Sequence, residues 1–123
     1  MALDNAFGIE PPPNGRIIRN LILGSNYLQS HILHFFHLAA LDYVKGPDVP
    51  PFIPRYEGDY RFAADVNAEV VNTYLEALKM RRRAHEMAAL WGGRMPHNQA
   101  IVPGGVTEVP DSQKMVDFKF RLA

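Results

Sequence analysis

From Arg16 to about Val44 the apolar residues Ile17, Ile18, Leu21, Ile22, Leu28, Ile32 and Phe35 recur with the three-to-four spacing of an α-helix. Their stripe wraps most of the circumference, which suits an element central to a larger core. Arg19, Asn26, Gln29 and three histidines interrupt it, so the run does not read as a membrane span. A second periodic run begins near Asp65 and passes through Val66, Val70, Tyr74, Leu78, Met87 and Leu90. Gly92 and Gly93 stop it in the manner of a helix C-terminus. A short helix over 2–7 ends at Gly8, and a last one over 110–122 places Pro110 in its first turn with Met115, Phe118 and Leu122 as packing positions. The prediction is a mainly α fold with helices over about 2–7, 15–44, 65–91 and 110–122.

Proline and glycine decide the connections. Pro11, Pro12 and Pro13 hold an extended link, because proline fixes its own φ and biases the residue before it away from helix. Between Gly46 and Tyr60, Pro47, Pro50, Pro51 and Pro54 exclude helix, and Phe52, Ile53 and Tyr56 pin an irregular segment by aromatic and apolar packing. No repeat and no convincing strand pair is read. Val102 and Val106 are candidates for an edge strand only, since glycines separate them.

Composition narrows the classes. A chain of 123 residues is about one domain long, and 47% hydrophobic with 21% charged residues excludes wholesale disorder. Thirteen basic residues balance thirteen acidic ones, so no net field draws nucleic acid or anionic lipid. There is no cysteine, which removes disulfides, thiolate metal sites and a cysteine nucleophile from this stretch. The first residues lack the basic region and long apolar run of an export signal, and read as the last turns of a helix.

Three constellations carry chemistry. His31, His34 and His37 recur every third residue, which on an α-helix splays the outer two by roughly 120°. That fan is poor for one metal ion, and histidines bonded to backbone or carboxylate are the simpler reading. The basic run Lys79-Met80-Arg81-Arg82-Arg83 spreads its charge around a helix without interleaved aromatics, so a solvated face or a docking edge for an acidic surface fits better than nucleic acid. The turn from Gly92 to Thr107 sets His97 among four glycines and two prolines. Such a turn permits close backbone approach, and it lacks the lysine-serine/threonine end of a phosphate loop.

Two segments resemble a known family. Pro12-Pro13-Asn14-Gly15-Arg16-Ile17-Ile18-Arg19-Asn20-Leu21-Ile22-Leu23-Gly24, followed by His31-Ile32-Leu33-His34-Phe35-Phe36 and Leu41-Asp42-Tyr43, is similar to the stretch after the first cysteine motif of nickel-iron hydrogenase large subunits. The glycine turn resembles a later signature of the same family, in the right order and separation. The resemblance implies residues 1–123 as a single internal piece of a large-subunit domain, lying between two cysteine pairs and containing neither. It implies a parent enzyme that converts H2 to two protons and two electrons at nickel bridged by cysteine sulfurs to an iron carrying CO and cyanide. The parent passes electrons to an iron-sulfur small subunit, and its membrane-bound uptake members suggest a periplasm-facing enzyme. The piece itself is expected to hold no cofactor and to be inactive alone.

By the same resemblance Ser30 stands where many members place an aspartate over the metals, with His31 beside it. Leu38 matches a position lining the gas passage. His97 matches a histidine that faces the iron-sulfur subunit, and Arg19 and His34 match supports of the helix framework. The opposing classes are a non-catalytic helical interaction module and a helical bundle binding metal or haem through its histidines. Apolar helix surface left uncovered predicts association into a homo-oligomer.

Overall fold

A computed structural model describes every residue from Met1 to Ala123. Helix α1 spans Ala2–Phe7 and ends at Gly8, whose φ of 63° is the left-handed stop that glycine adopts without a Cβ clash. Helix α2 spans Pro13–Ile32, continues as a π-helical turn over Leu33–Ala39, and closes with a 3-10 turn over Ala40–Asp42. Helix α3 spans Ala64–Gly92 and α4 spans Ser112–Leu122. Between them β1, Ile101–Val102, pairs antiparallel with β2, Gly105–Val106, in the register Ile101 with Val106 and Val102 with Gly105.

Four expectations are corrected. The long helix starts at Pro13, because proline has no N–H to satisfy and its φ already suits a first turn. It also widens after Ile32, a change that seven residues of apolar spacing cannot separate from a regular helix. The last helix starts at Ser112, with Pro110 outside it. Asp111 caps it by accepting the Lys114 N–H at 2.7 Å, satisfying a donor that proline cannot. The strand pair, read as absent, exists because Pro103 and Gly104 form its turn. Gly104 at φ 85° takes the position that requires positive φ.

The chain divides into two compact units, residues 1–29 with 82–123, and residues 30–81. In the first, Ile18, Ile22 and Trp91 form a buried cluster, with Leu21, Val106 and Phe118 packed against it. The Trp91 and Phe118 ring centroids lie 6.3 Å apart. Removal of each such large side chain from water is worth about 1.5–3 kcal/mol. In the second unit only Val44 and Ala77 are fully buried. Here His37 meets Tyr74 edge to face at 4.6 Å, and a cavity of about 30 Å³ is lined by Phe36, Ala40, Val44, Phe52, Val70 and Tyr74 among others. Asn67 clamps the Lys45 backbone, accepting its N–H and donating to its carbonyl, both at 2.7 Å.

Only part of the α2 stripe is covered. Ile18 and Ile22 are buried, whereas Ile17, Leu23, Tyr27 and Leu28 stay exposed, as does Phe120 of α4. No helix is long and apolar enough to cross a membrane.

Candidate functional site

The most constructed region is the glycine-rich turn after α3. Trp91, 2% exposed, anchors the end of the helix in the first unit's core. The Gly92 carbonyl then accepts from the Gln99 and Ala100 amides at 3.1 and 3.2 Å. A Cβ at Gly92 would collide with the Asn98 side-chain amide, so only glycine admits this approach. Asn98 Oδ1 accepts the Ala100 N–H at 3.0 Å and the Ile101 N–H at 3.4 Å. The Thr107 amide returns to the Ala100 carbonyl at 2.8 Å and closes the open end of the hairpin between them.

Arg19 ties that hairpin to the two N-terminal helices. Its Nε donates to the Gly105 carbonyl at 3.0 Å and its Nη2 to the Val102 carbonyl at 2.7 Å. Its Nη1 donates to Asp4 Oδ2 at 2.9 Å, while the other Asp4 oxygen accepts the Gly104 N–H at 2.6 Å. Both side chains are buried. The Arg19 guanidinium, and after it the Gly104 amide, hold the Asp4 carboxyl well below the usual carboxylate range. Arg19 is thus the point where α1, α2 and the β1–β2 turn meet. Its partner Asp4 was missed in the sequence, because a single acid in a short helix carries no periodic signal. Arg19 itself stands out as a charge inside an apolar stripe.

His97 sits at the tip of the turn with an exposed side chain and a φ of 62°. Cβ crowding makes this conformation unfavourable by about 1–2 kcal/mol for a non-glycine residue. Arg94 Nε donates to its carbonyl at 2.8 Å. His97, Met95 and Asn98 line one side of a cleft of about 340 Å³, with Asn20, Leu23 and Asn26 of α2 on another.

The residues singled out near the α2 continuation belong to the second unit. Ser30, His31, His34 and Leu38 are exposed. His37, half-buried, points instead at Tyr74, and both its ring nitrogens are buried without a partner. The structure does not gather the three histidines, and no group of three or more His, Cys, Asp or Glu side chains is arranged to hold a metal ion. In the basic run Lys79 pairs with Glu76 at 2.8 Å and Arg82 with Glu86 at 3.3 Å, as exposed ion pairs along α3.

The geometry defines a helix-built scaffold that holds a glycine-rich turn and offers no metal ligand set of its own. The profile of the family described as nickel-dependent hydrogenase matches residues 1–50 and 44–121. The chain belongs to that family, and its relatives are large subunits of hydrogenases. It is 55% identical to the periplasmic NiFeSe hydrogenase large subunit of Desulfomicrobium baculatum, over 99% of this chain and 26% of that protein. It is 32% identical to the quinone-reactive Ni/Fe-hydrogenase large chain of Wolinella succinogenes, over 90% of this chain and 27% of that one. The solved Ni-Fe-Se hydrogenase of D. vulgaris Hildenborough superposes with a TM-score of 0.92 at 57% identity, covering 97% of this chain and 25% of that chain. The chain therefore spans about a quarter of the length of the relatives it matches.

Proposed function

We propose that these residues form part of the helical scaffold of a hydrogenase large subunit, one that oxidises H2 reversibly to two protons and two electrons and hands the electrons to an iron-sulfur partner subunit. The observation that carries this reading is the superposition at a TM-score of 0.92 and 57% identity over 97% of the chain. An independent interaction module has no comparable support, and no group of three or more side chains gathers around a metal ion as a histidine-bound metal bundle would need.

The centre implied by the reading is nickel joined through cysteine sulfurs to an iron bearing CO and cyanide. Thiolates suit such soft redox metals. This chain contains no cysteine, so its residues do not fit as ligands, and the ligands would come from outside this stretch. What these residues supply is shape. Arg19 fixes the hairpin against α1 and α2, and His34 supports the helix framework. Ser30 and His31 stand at the metal-facing side of the scaffold, where a hydroxyl can donate or accept a hydrogen bond but adds no fixed charge. Leu38 lines the gas passage, and His97 faces the iron-sulfur partner. The names of the two curated relatives, periplasmic and quinone-reactive, support a periplasm-facing enzyme associated with the membrane.

The test is H2-dependent reduction of a viologen dye by the complete large subunit purified with its partner. Turnover is expected. A metal-loaded, assembled complex that neither consumes H2 nor exchanges it with D2O overturns the reading.

A further inference from the structure

His97 is the only residue other than glycine with a positive φ, the others being Gly8, Gly93 and Gly104. A left-handed backbone at a residue with a Cβ persists only where its surroundings impose it. The base of the loop is imposed by Gly92 and Asn98, as described above, but their bonds reach residues 99 to 101 and leave the tip to other means. At the tip the side-chain bond to the strained residue is the one from Arg94 Nε to the His97 carbonyl, 2.8 Å, which closes a ring of four residues. The His97 side chain is exposed, and φ and ψ at its own Cα set the direction in which its Cα–Cβ bond leaves the loop.

We propose that Arg94 is a positioning residue for His97: its Nε–H holds the carbonyl of a left-handed, non-glycine residue and so sets the direction in which the imidazole-bearing side chain leaves the loop, towards the redox group of the partner subunit. The inference rests on the reading of His97 as the partner-facing histidine and adds the device that sets its orientation. Arginine suits the task because Nε is a single directed donor in a rigid plane, which a lysine ammonium on a flexible stem reproduces only in part. Arg94 is itself exposed, so its replacement leaves the core intact.

The experiment uses the assembled two-subunit enzyme with Arg94→Met, Arg94→Lys, His97→Asn and the double variant Arg94→Met/His97→Asn. Asparagine tolerates the left-handed backbone and lacks the imidazole. Two quantities are read: the conformation at residue 97 in crystal structures, and the midpoint potential of the partner's nearest iron-sulfur cluster by redox titration. Arg94→Met is expected to move residue 97 out of the left-handed region or spread its ring over several positions. It should also shift the potential in the same direction as His97→Asn and by most of that amount. The double variant should shift no further than His97→Asn, and Arg94→Lys should fall between Arg94→Met and the unaltered enzyme. An Arg94→Met enzyme with φ, ring position and potential all unchanged refutes the positioning role while leaving the His97 reading in place. If His97→Asn leaves the potential unmoved, the partner-facing reading and the proposed aim both fail, and the crystal structures alone then show whether Arg94 sets the loop conformation.

Discussion

The two units hold themselves together by different physics. Residues 1–29 with 82–123 close around a tryptophan-centred apolar cluster, and a buried arginine there satisfies a carboxylate and two strand carbonyls at once. Residues 30–81 bury little completely and rely on half-buried aromatic and aliphatic contacts around a small cavity. Their connecting segment is pinned by Asn67 on Lys45 and by Arg55, which donates to the Gly46 carbonyl at 2.6 Å and pairs with Asp48. A directed polar junction sets geometry sharply, since each bond has a length and an angle to meet, whereas loose apolar packing admits neighbouring arrangements at small cost. The lesson is that the precise part of this scaffold is the part carrying the glycine-rich turn.

If that contrast is right, Arg19→Met is the most damaging substitution in the series. It removes the guanidinium from the buried Asp4 carboxylate, leaving it only the Gly104 N–H and the exposed Met1 ammonium, and it leaves the Val102 and Gly105 carbonyls without their donor. Breaking a buried pair costs far more than losing a surface one. Urea unfolding followed by the fluorescence of Trp91, the single tryptophan, should show the largest fall in midpoint. A change no larger than that of an exposed ion pair would remove the arginine from its place in the account. Trp91→Ala, followed by far-ultraviolet circular dichroism, should cost about 3–5 kcal/mol, the usual range for emptying a packed aromatic site. In the other unit Gly46→Ala should cost about 1–3 kcal/mol by overpacking, because a Cβ there meets the Phe52 ring at 2.5 Å. A neutral result would mean that this unit repacks more freely than its contacts indicate.

Acid should separate the units as well. The Asp4 carboxyl is depressed in the folded state, so the unfolded chain binds more protons in the acid range and stability rises with pH there. Its contribution is complete above the ordinary value of 3.8 and is lost as pH falls through the depressed one. Titrating the Trp91 transition downward should show this loss, and Asp4→Asn should flatten it. Lys79→Ala marks the low end, within about 0.5 kcal/mol, since the Glu76 pair is open to water.

The helices were legible because their apolar spacing runs over many turns and Gly8 and Gly92 stop them through ordinary backbone preferences. The π-helical turn was not, because Leu33–Ala39 is too short for its wider i→i+5 turn to shift the apolar spacing visibly. The hairpin is hidden because glycine lowers strand propensity, although the turn position of Gly104 demands it. The Arg19 junction was half visible. The charge in an apolar stripe drew attention to Arg19, but Asp4 lies 15 residues away and the Gly105 carbonyl 86 residues away, and separation of that kind leaves no trace in local spacing. The roles proposed for Ser30, Leu38 and His97 rest on family resemblance, since none of them has a periodicity or motif that speaks for a redox centre.

The claim on which the rest depends is that this stretch shapes a hydrogenase and supplies none of its metal ligands. The direct test is to purify residues 1–123 alone after growth with nickel, then measure bound metal and H2/D2O exchange on one sample. No stoichiometric nickel and no exchange are expected. One nickel per chain together with sustained isotope exchange would contradict the account.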